Sequence, residues 1–299
     1  MFEGVGAIGL KWLQKVKNET GLLISTEVAN STHVKLALEH DIDILWIGAR
    51  STVSPFIVQE IADAVKGTDT PILVKNPINP DLSLWMGALE RINKAGITKL
   101  GAIHRGFSMT GSSKYRYVPL WKIAIDLKSN LPNLPVICDP SHICGNRDMI
   151  FETSQKALDL GYDGLIIESH IDPDNAWSDA SQQITPKTLI KLMKDLVIRK
   201  ESVQERSFIK ELENLRVKID DADSQILDIL GNRMKVSDEI GKIKKNQNVA
   251  ILQSARWNDI LEKMISDGKE KGLSEDFILK IFKAIHQESI NHQEKILKD

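Results

Sequence analysis

The chain is poor in cysteine, in charge of one sign and in long apolar runs, and it has no proline beyond residue 208. Two cysteines in 299 residues, Cys138 and Cys144, are too few for a disulfide framework and predict free thiols in a reducing cytosol. Lys and Arg total 39 against 41 Asp and Glu, a net charge of −2, with both signs interspersed. That excludes a basic face for nucleic acid and a polybasic tail for a membrane surface. The longest apolar runs, such as residues 165–167, are far too short to span a bilayer. The N-terminal Met-Phe-Glu-Gly-Val-Gly lacks a charged region leading into an apolar core, so no signal peptide is expected. These absences predict a cytoplasmic protein. A hydrophobic fraction of 42% supports packed cores in two domains.

Up to residue 198 one unit repeats: a short β-branched run, a loop, then a helical stretch. The runs lie at 22–26, 44–47, 71–74, 100–103, 134–137 and 164–167, with helical patterns at 55–66, 82–94, 120–129 and 148–160. Near-continuous apolar runs alternating with helices predict parallel strands covered on both faces, an α/β architecture. Each run is followed by an ionisable side chain: Glu27, Arg50, Lys75, Arg105, His142 and Glu168. In a (β/α) barrel these ends converge on one face, whereas an open flavodoxin-like sheet would not gather all six. One such residue alone is usually a solvated loop charge; six in register predict a shared polyanionic ligand and a metal. His142 in Ile-Cys-Asp-Pro-Ser-His (137–142), Glu168 in Ile-Ile-Glu-Ser-His (166–170) and Asp179 in Trp-Ser-Asp (177–179) form a candidate divalent-metal set of one imidazole and two carboxylates.

A polar linker, 199–207, separates this half from an all-helical segment, 208–299. A first helix carries apolar residues at Leu212, Leu215, Ile219, Ala222, Ile226, Ile229, Ile240 and Ile243, a sustained 3–4 spacing. A break near 246–248 precedes a second helix over roughly 254–267, and Ser274 is placed to cap a third. Arg233 falls in the first helix's apolar stripe, and Ser289 and Gln293 continue the stripe Ile278, Phe282, Ile285. Each alone reads as a snorkelling or tolerated polar residue; with Lys244 they predict an anion pocket inside the bundle. Arg216 and Lys244 are 28 positions apart, about 42 Å along a straight helix at roughly 1.5 Å per residue. They cannot grip one small dianion within one chain, so a functional Arg216 requires an antiparallel homodimer.

Segment 208–299 resembles the all-helical chorismate mutases, through residues 215–227, Asn232-Arg233, Gly-Lys-Ile-Lys (241–244), the region of Arg256 and Glu-Ser-Ile-Asn-His-Gln (288–293). The resemblance implies that Arg233, Lys244 and a partner chain's Arg216 bind the carboxylates and ether oxygen of chorismate, with Arg256, Gln253, Ser289 and Gln293 completing the pocket. Two positions depart from the family: Gln253 stands where many members have an acid, and Trp257 where a glutamate commonly meets the substrate hydroxyl.

The first half resembles the 3-deoxy-D-arabino-heptulosonate 7-phosphate (DAHP) synthases, in the subgroup near the 3-deoxy-D-manno-octulosonate 8-phosphate synthases. The motifs are Phe-Glu-Gly-Val-Gly (2–6), Thr-Glu-Val (26–28), Ile-Gly-Ala-Arg (47–50), Val-Lys-Asn-Pro (74–77), Ile-His-Arg-Gly-Phe (103–107), Cys-Asp-Pro-Ser-His (138–142), Ile-Glu-Ser-His (167–170) and Ser-Asp-Ala (178–180). The resemblance implies a barrel in which Arg50, Lys75 and Arg105 hold phosphoenolpyruvate with Glu27 nearby, erythrose 4-phosphate is the second substrate, and His142, Glu168 and Asp179 bind Mn, Fe, Zn or Co. The family's Gly-Pro-Cys, source of a fourth metal ligand, and its Lys-Pro-Arg-Thr are absent, which predicts about six of eight strands, an N-terminally incomplete barrel and low synthase turnover. Cys144 is too near His142 in sequence to replace the cysteine. The whole reads as a bifunctional shikimate-pathway enzyme. The alternatives are an octulosonate phosphate synthase-like enzyme, or an inactive barrel whose helical domain senses chorismate or prephenate.

Overall fold

The computed structural model describes residues 4–200, 205–252 and 254–298, without the side chains of residues 254–256, 258 and 259. The chain forms two compact units, Met1–Glu201 and Ser202–Asp299.

In the first unit the elements run α1 (Ala7–Thr20), β1 (Ser25–Val28), α2 (Ser31–Glu39), β2 (Ile44–Ile47), α3 (Ala49–Thr52), α4 (Pro55–Val65), β3 (Ile72–Lys75), α5 (Leu82–Lys94), β4 (Leu100–His104), α6 (Trp121–Asn130), β5 (Val136–Cys138), α7 (Pro140–Cys144), α8 (Ile150–Asp159), β6 (Gly164–Leu165) and α9 (Pro186–Asp195). Local chemistry sets these boundaries. Asn30, Ser54, Asp81, Asp139 and Thr185 each accept a backbone N–H of the helix they cap, and Pro opens α4, α7 and α9, where its missing N–H costs nothing.

The six strands are all parallel and ordered β1-β2-β3-β4-β5-β6. Parallel strands need covering on both faces. Leu45, Ile47, Ile72, Val74, Ala102 and Val136 are accordingly buried with Val58, Ile61, Trp85, Leu89, Ile92 and Leu127 from the helices. Trp85 also donates its indole N–H to the Val74 carbonyl at 3.1 Å.

Three expectations need correction. The first strand starts at Ser25, not Leu22: α1 ends on left-handed Gly21, Leu22 and Leu23 are 65% and 71% exposed, and pairing begins only where Ser25 meets Ile44. Glu27 therefore lies inside β1 rather than past its end. The sixth strand is two residues, although Ile166 N–H still reaches the Cys138 carbonyl at 2.8 Å. His142 sits in a short helix, α7, and not in an open loop.

The second unit is α10 (Arg206–Asn246), α11 (Ser254–Glu270) and α12 (Glu275–Lys298). Ser274 caps α12 through the Phe277 N–H, 3.3 Å. Helices α10 and α12 approach closely at Gly241, where a Cβ would stand 3.3 Å from Gln293. Much of the apolar stripe of α10 is uncovered within one chain: Leu215, Ile219, Ile226, Ile229, Ile240 and Ile243 are all exposed. No described helix is long and apolar enough to cross a membrane.

Candidate functional site

The C-terminal ends of the strands and the connections that follow them bring polar side chains around a cavity of about 150 Å³, lined by Glu27, Trp46, Arg50, Lys75, Arg105, Arg116, Tyr117, His142 and Asp179 among others. Five of the six strand-end residues expected to converge therefore share one cavity. The sixth, Glu168, adjoins it with Oε1 3.5 Å from His142 Nδ1.

One wall is cationic. Lys75 Nζ is 3.0 Å from Asp139 Oδ2, both side chains buried, and lies 4.3 Å from the centre of the Trp46 ring. The Arg105 guanidinium lies 3.5 Å over the Tyr117 ring, a desolvated cation–π contact that fixes its plane. Asn76 accepts the Arg105 N–H at 2.7 Å and donates to the Gly106 carbonyl. Gly106 has φ +79, and a Cβ there would stand 2.5 Å from the Tyr117 carbonyl, so only glycine lets the two segments meet. Burial opposes ionisation of Tyr117, but Arg105, Arg116 and Arg50 prevail and lower its pKa. Glu27 packs against Gly48. Burial raises its pKa, resisted by Lys75, His142 and Arg50.

The other wall is anionic. Ligand atoms of His142, Glu168 and Asp179 all lie within 4.8 Å of one another. Donors at roughly 2.0–2.2 Å from one tetrahedral ion stand about 3.4 Å apart, so the three groups would have to draw in by up to about 1.4 Å to share a divalent cation. Asp139 Oδ2 is 2.8 Å from His142 Nδ1, a carboxylate–imidazole approach of the kind that orients a ligating histidine, although Nδ1 makes no hydrogen bond of good geometry among the described residues. Burial would raise the Asp139 pKa, but His142 and Lys75 hold it far below the ordinary carboxylate value. Gln182 donates to Glu168 Oε2 at 2.9 Å, and Arg116 donates to Asp179 Oδ1 and Gln182 Oε1, both 2.7 Å.

Sequence reasoning gave no role to Asp139, Arg116, Tyr117, Asn76 or Gln182. Asp139 had a usable signal, since it stands inside the motif containing His142 and directly before a helix-opening proline. Arg116 and Tyr117 lie in an irregular stretch without periodicity, placed by the isolated bridge between Phe107 and Val118.

In the helical unit Arg233 donates to Ser289 Oγ, which donates to the Ile285 carbonyl at 2.9 Å. Gln293 donates to Ser237 Oγ at 3.1 Å, and Lys244 to the Ile251 carbonyl at 2.5 Å. Arg233 is half-buried, not fully sunk in the stripe, and burial lowers its pKa. Trp257 lies flat on His286, ring centres 3.9 Å apart and planes at 14°. His286 Nε2 and Gln293 Oε1 are buried with no hydrogen-bond partner among the described residues. Burial, Arg233 and Lys244 lower the His286 pKa. His286, at the same helix face as Ser289 and Gln293, was not singled out from sequence. Arg216 is exposed on the same uninterrupted helix as Lys244. Gln253 and the side chain of Arg256 lie outside the described residues.

Residues 1–205 match the DAHP synthetase I family, and residues 215–294 match chorismate mutase type II. The phospho-2-dehydro-3-deoxyheptonate aldolase of Thermotoga maritima is 28% identical over 196 residues, 66% of this chain and 55% of that protein. The chain thus spans about half the length of this relative. A 2-dehydro-3-deoxyphosphooctonate aldolase of Pseudomonas putida is 25% identical over 208 residues, 63% of this chain and 71% of the relative. Among solved structures, a truncated 3-deoxy-D-arabino-heptulosonate 7-phosphate synthase from Thermotoga maritima superposes with a TM-score of 0.57 at 25% identity, covering 64% of this chain and 71% of that one.

Proposed function

Because the chain belongs to the DAHP synthetase I family and carries a chorismate mutase type II segment behind that region, we propose that it is a bifunctional enzyme of aromatic biosynthesis. Its first unit would condense phosphoenolpyruvate with erythrose 4-phosphate to DAHP, and its second would rearrange chorismate to prephenate. The observation that carries the first assignment is the shared cavity, lined by Lys75, Arg105 and Arg50 and also by His142 and Asp179, with Glu168 adjoining these last two.

In this reading Lys75, Arg105 and Arg50 hold the carboxylate and phosphate of phosphoenolpyruvate as charge-assisted partners. Asp139 aims Lys75 through their 3.0 Å ion pair, and the Tyr117 ring fixes the Arg105 plane. Glu27 completes the wall beside Arg50. A divalent ion held by His142, Glu168 and Asp179 supplies Lewis-acid polarisation of the aldehyde when bound.

Rearrangement of chorismate is pericyclic and needs no general base. Arg233 and Lys244, with Arg216 from a second copy, would bind the two carboxylates and stabilise charge on the ether oxygen, while Ser289 and Gln293 hold the compact conformer; Arg256 and Gln253 complete this pocket by resemblance. A homodimer through α10 is supported by its exposed apolar stripe, since contiguous exposed apolar surface marks interaction sites. Two buried free cysteines, Cys138 and Cys144, suit a reducing, cytoplasmic setting.

A sensing role for the helical unit is the second reading, favoured by the flat packing of Trp257 on His286. Two assays decide. Phosphoenolpyruvate consumption should require erythrose 4-phosphate; preference for arabinose 5-phosphate would move the first unit to the octulosonate branch. Loss of chorismate absorbance should accompany formation of prephenate; prephenate binding without turnover would establish the sensing role instead.

A further inference from the structure

Asp179 occupies the left-handed backbone region, φ 47 and ψ 35, at the entrance to the 3-10 turn Ala180–Gln182. A non-glycine residue holds that conformation only where its surroundings over-determine it. The segment around it has little regular structure, so side chains must fix it. Arg116 holds the Asp179 carboxylate itself at 2.7 Å, while the backbone that follows Asp179 is held by Arg147, in the connection between α7 and α8.

Arg147 Nε donates to the Gln183 carbonyl at 2.7 Å, and Nη2 donates to the Ala180 carbonyl, also 2.7 Å. Nη2 further lies 2.7 Å from Asp174 Oδ1. One guanidinium thus grips the chain on both sides of the 3-10 turn that Asp179 opens. The planar fork of arginine holds two carbonyls in fixed relation, which a flexible ammonium cannot reproduce. Asp174 is 79% exposed, so this ion pair contributes little against solvent, and the carbonyl contacts carry the restraint. Ser181 Oγ adds a tie to the Gly145 carbonyl at 2.9 Å. Both anchors, Gly145 and Arg147, follow within five residues of His142. The strap therefore joins the segment bearing one candidate ligand to the segment bearing another, and Arg147 does not itself line the cavity.

We propose that Arg147 is a positioning residue that sets the Asp179 arm of the His142–Glu168–Asp179 cation site. This rests on the cation-site reading above. Freed from the strap, the 174–183 segment would keep its chain path but lose the register that brings Asp179 within bonding reach of an ion shared with His142 and Glu168.

The test uses the full chain stripped with EDTA, with Mn2+ as the probe of the cation site and phosphoenolpyruvate as the probe of the opposite wall, each measured by calorimetry. Arg147→Gln should weaken Mn2+ by about 10-fold or more, the range of outer-shell losses at metal sites, while phosphoenolpyruvate affinity in the metal-free protein stays within about two-fold of the parent's. Arg147→Lys should recover part of the Mn2+ affinity and keeps the test open if the glutamine variant fails to fold. Asp174→Asn should bind Mn2+ like the parent. Unchanged Mn2+ affinity in both Arg147 variants, or equal weakening of both probes, overturns the proposal. If the parent binds Mn2+ no better than Asp179→Asn does, the cation-site reading itself falls, and the strap's assigned role falls with it.

Discussion

Lys75 and Asp139, 64 residues apart in sequence, form a buried ion pair at 3.0 Å with side chains only 6% and 2% exposed. The same Asp139 oxygen stands 2.8 Å from His142 Nδ1. One carboxylate therefore ties the anion-binding wall of the cavity to the candidate cation site.

Asp139→Asn should be strongly destabilising, because removing one partner strands a buried ammonium at a cost of about 3–5 kcal/mol. Adding Lys75→Met should return part of that loss by removing the unpaired charge. Urea unfolding of both single variants and the double variant measures the coupling. Additive losses would show that the pair does not act as a unit.

His104 should make the first unit sensitive to mild acid. Its ring is fully buried among Trp85, Phe107, Trp121 and Tyr162, with Nδ1 2.8 Å from the Tyr162 hydroxyl. Burial lowers its pKa to about 4, against the opposing influence of the Pro119 carbonyl and Asp139. The unfolded chain, with an imidazole pKa near 6.5, takes up the proton first. Stability is therefore full above about pH 7 and falls as pH drops from about 6.5 toward 4, by on the order of 3 kcal/mol in all. Urea midpoints across that range should show this slope, and His104→Asn should flatten it.

Much of the architecture was legible because it depends on local pattern. Helix α5 falls at residues 82–94 and β2 at 44–47, as read, since Asp81 caps one and an unbroken apolar run marks the other. What periodicity could not reveal was non-local or too short. Helix α7 has five residues, less than two turns, and Leu22 and Leu23 look like strand residues yet carry no strand pairing. Of the site, the residues placed just after apolar runs were found. Arg116 was not, since its partner Asp179 is more than 60 positions away, and Asp139 was passed over although its motif and the following proline mark it, because its ion pair with Lys75 is equally distant in sequence. In the helical unit the 3–4 spacing marks Arg233, Ser289 and Gln293, whereas His286 is marked only by the Trp257 ring stacked on it.

The shared-site model for the mutase predicts complementation. Arg216→Ala and Arg233→Ala chains should each be inactive alone. Mixed and allowed to exchange, half the dimers are mixed, and one of their two pockets is intact, so about one quarter of the parent activity should return. A mixture as inactive as either parent, with mixed dimers shown by native mass spectrometry, would mean that Arg216 does not reach the neighbouring pocket.

Covering the α10 stripe should also be required for that activity. Ile226→Glu places a charge on an exposed apolar position and should leave the isolated chain folded while raising the dimer dissociation constant at least 10-fold. Sedimentation equilibrium reads this directly; an unchanged dimer would place the interface elsewhere.

The most direct test of the central assignment is phosphoenolpyruvate-dependent phosphate release by the full chain in the presence of erythrose 4-phosphate, followed through EDTA treatment and Mn2+ addition. The cavity geometry predicts release that needs both substrates, stops with EDTA, returns with Mn2+, and does not return in His142→Ala. Release that persists in EDTA, or that survives in His142→Ala at the parent rate, would contradict it.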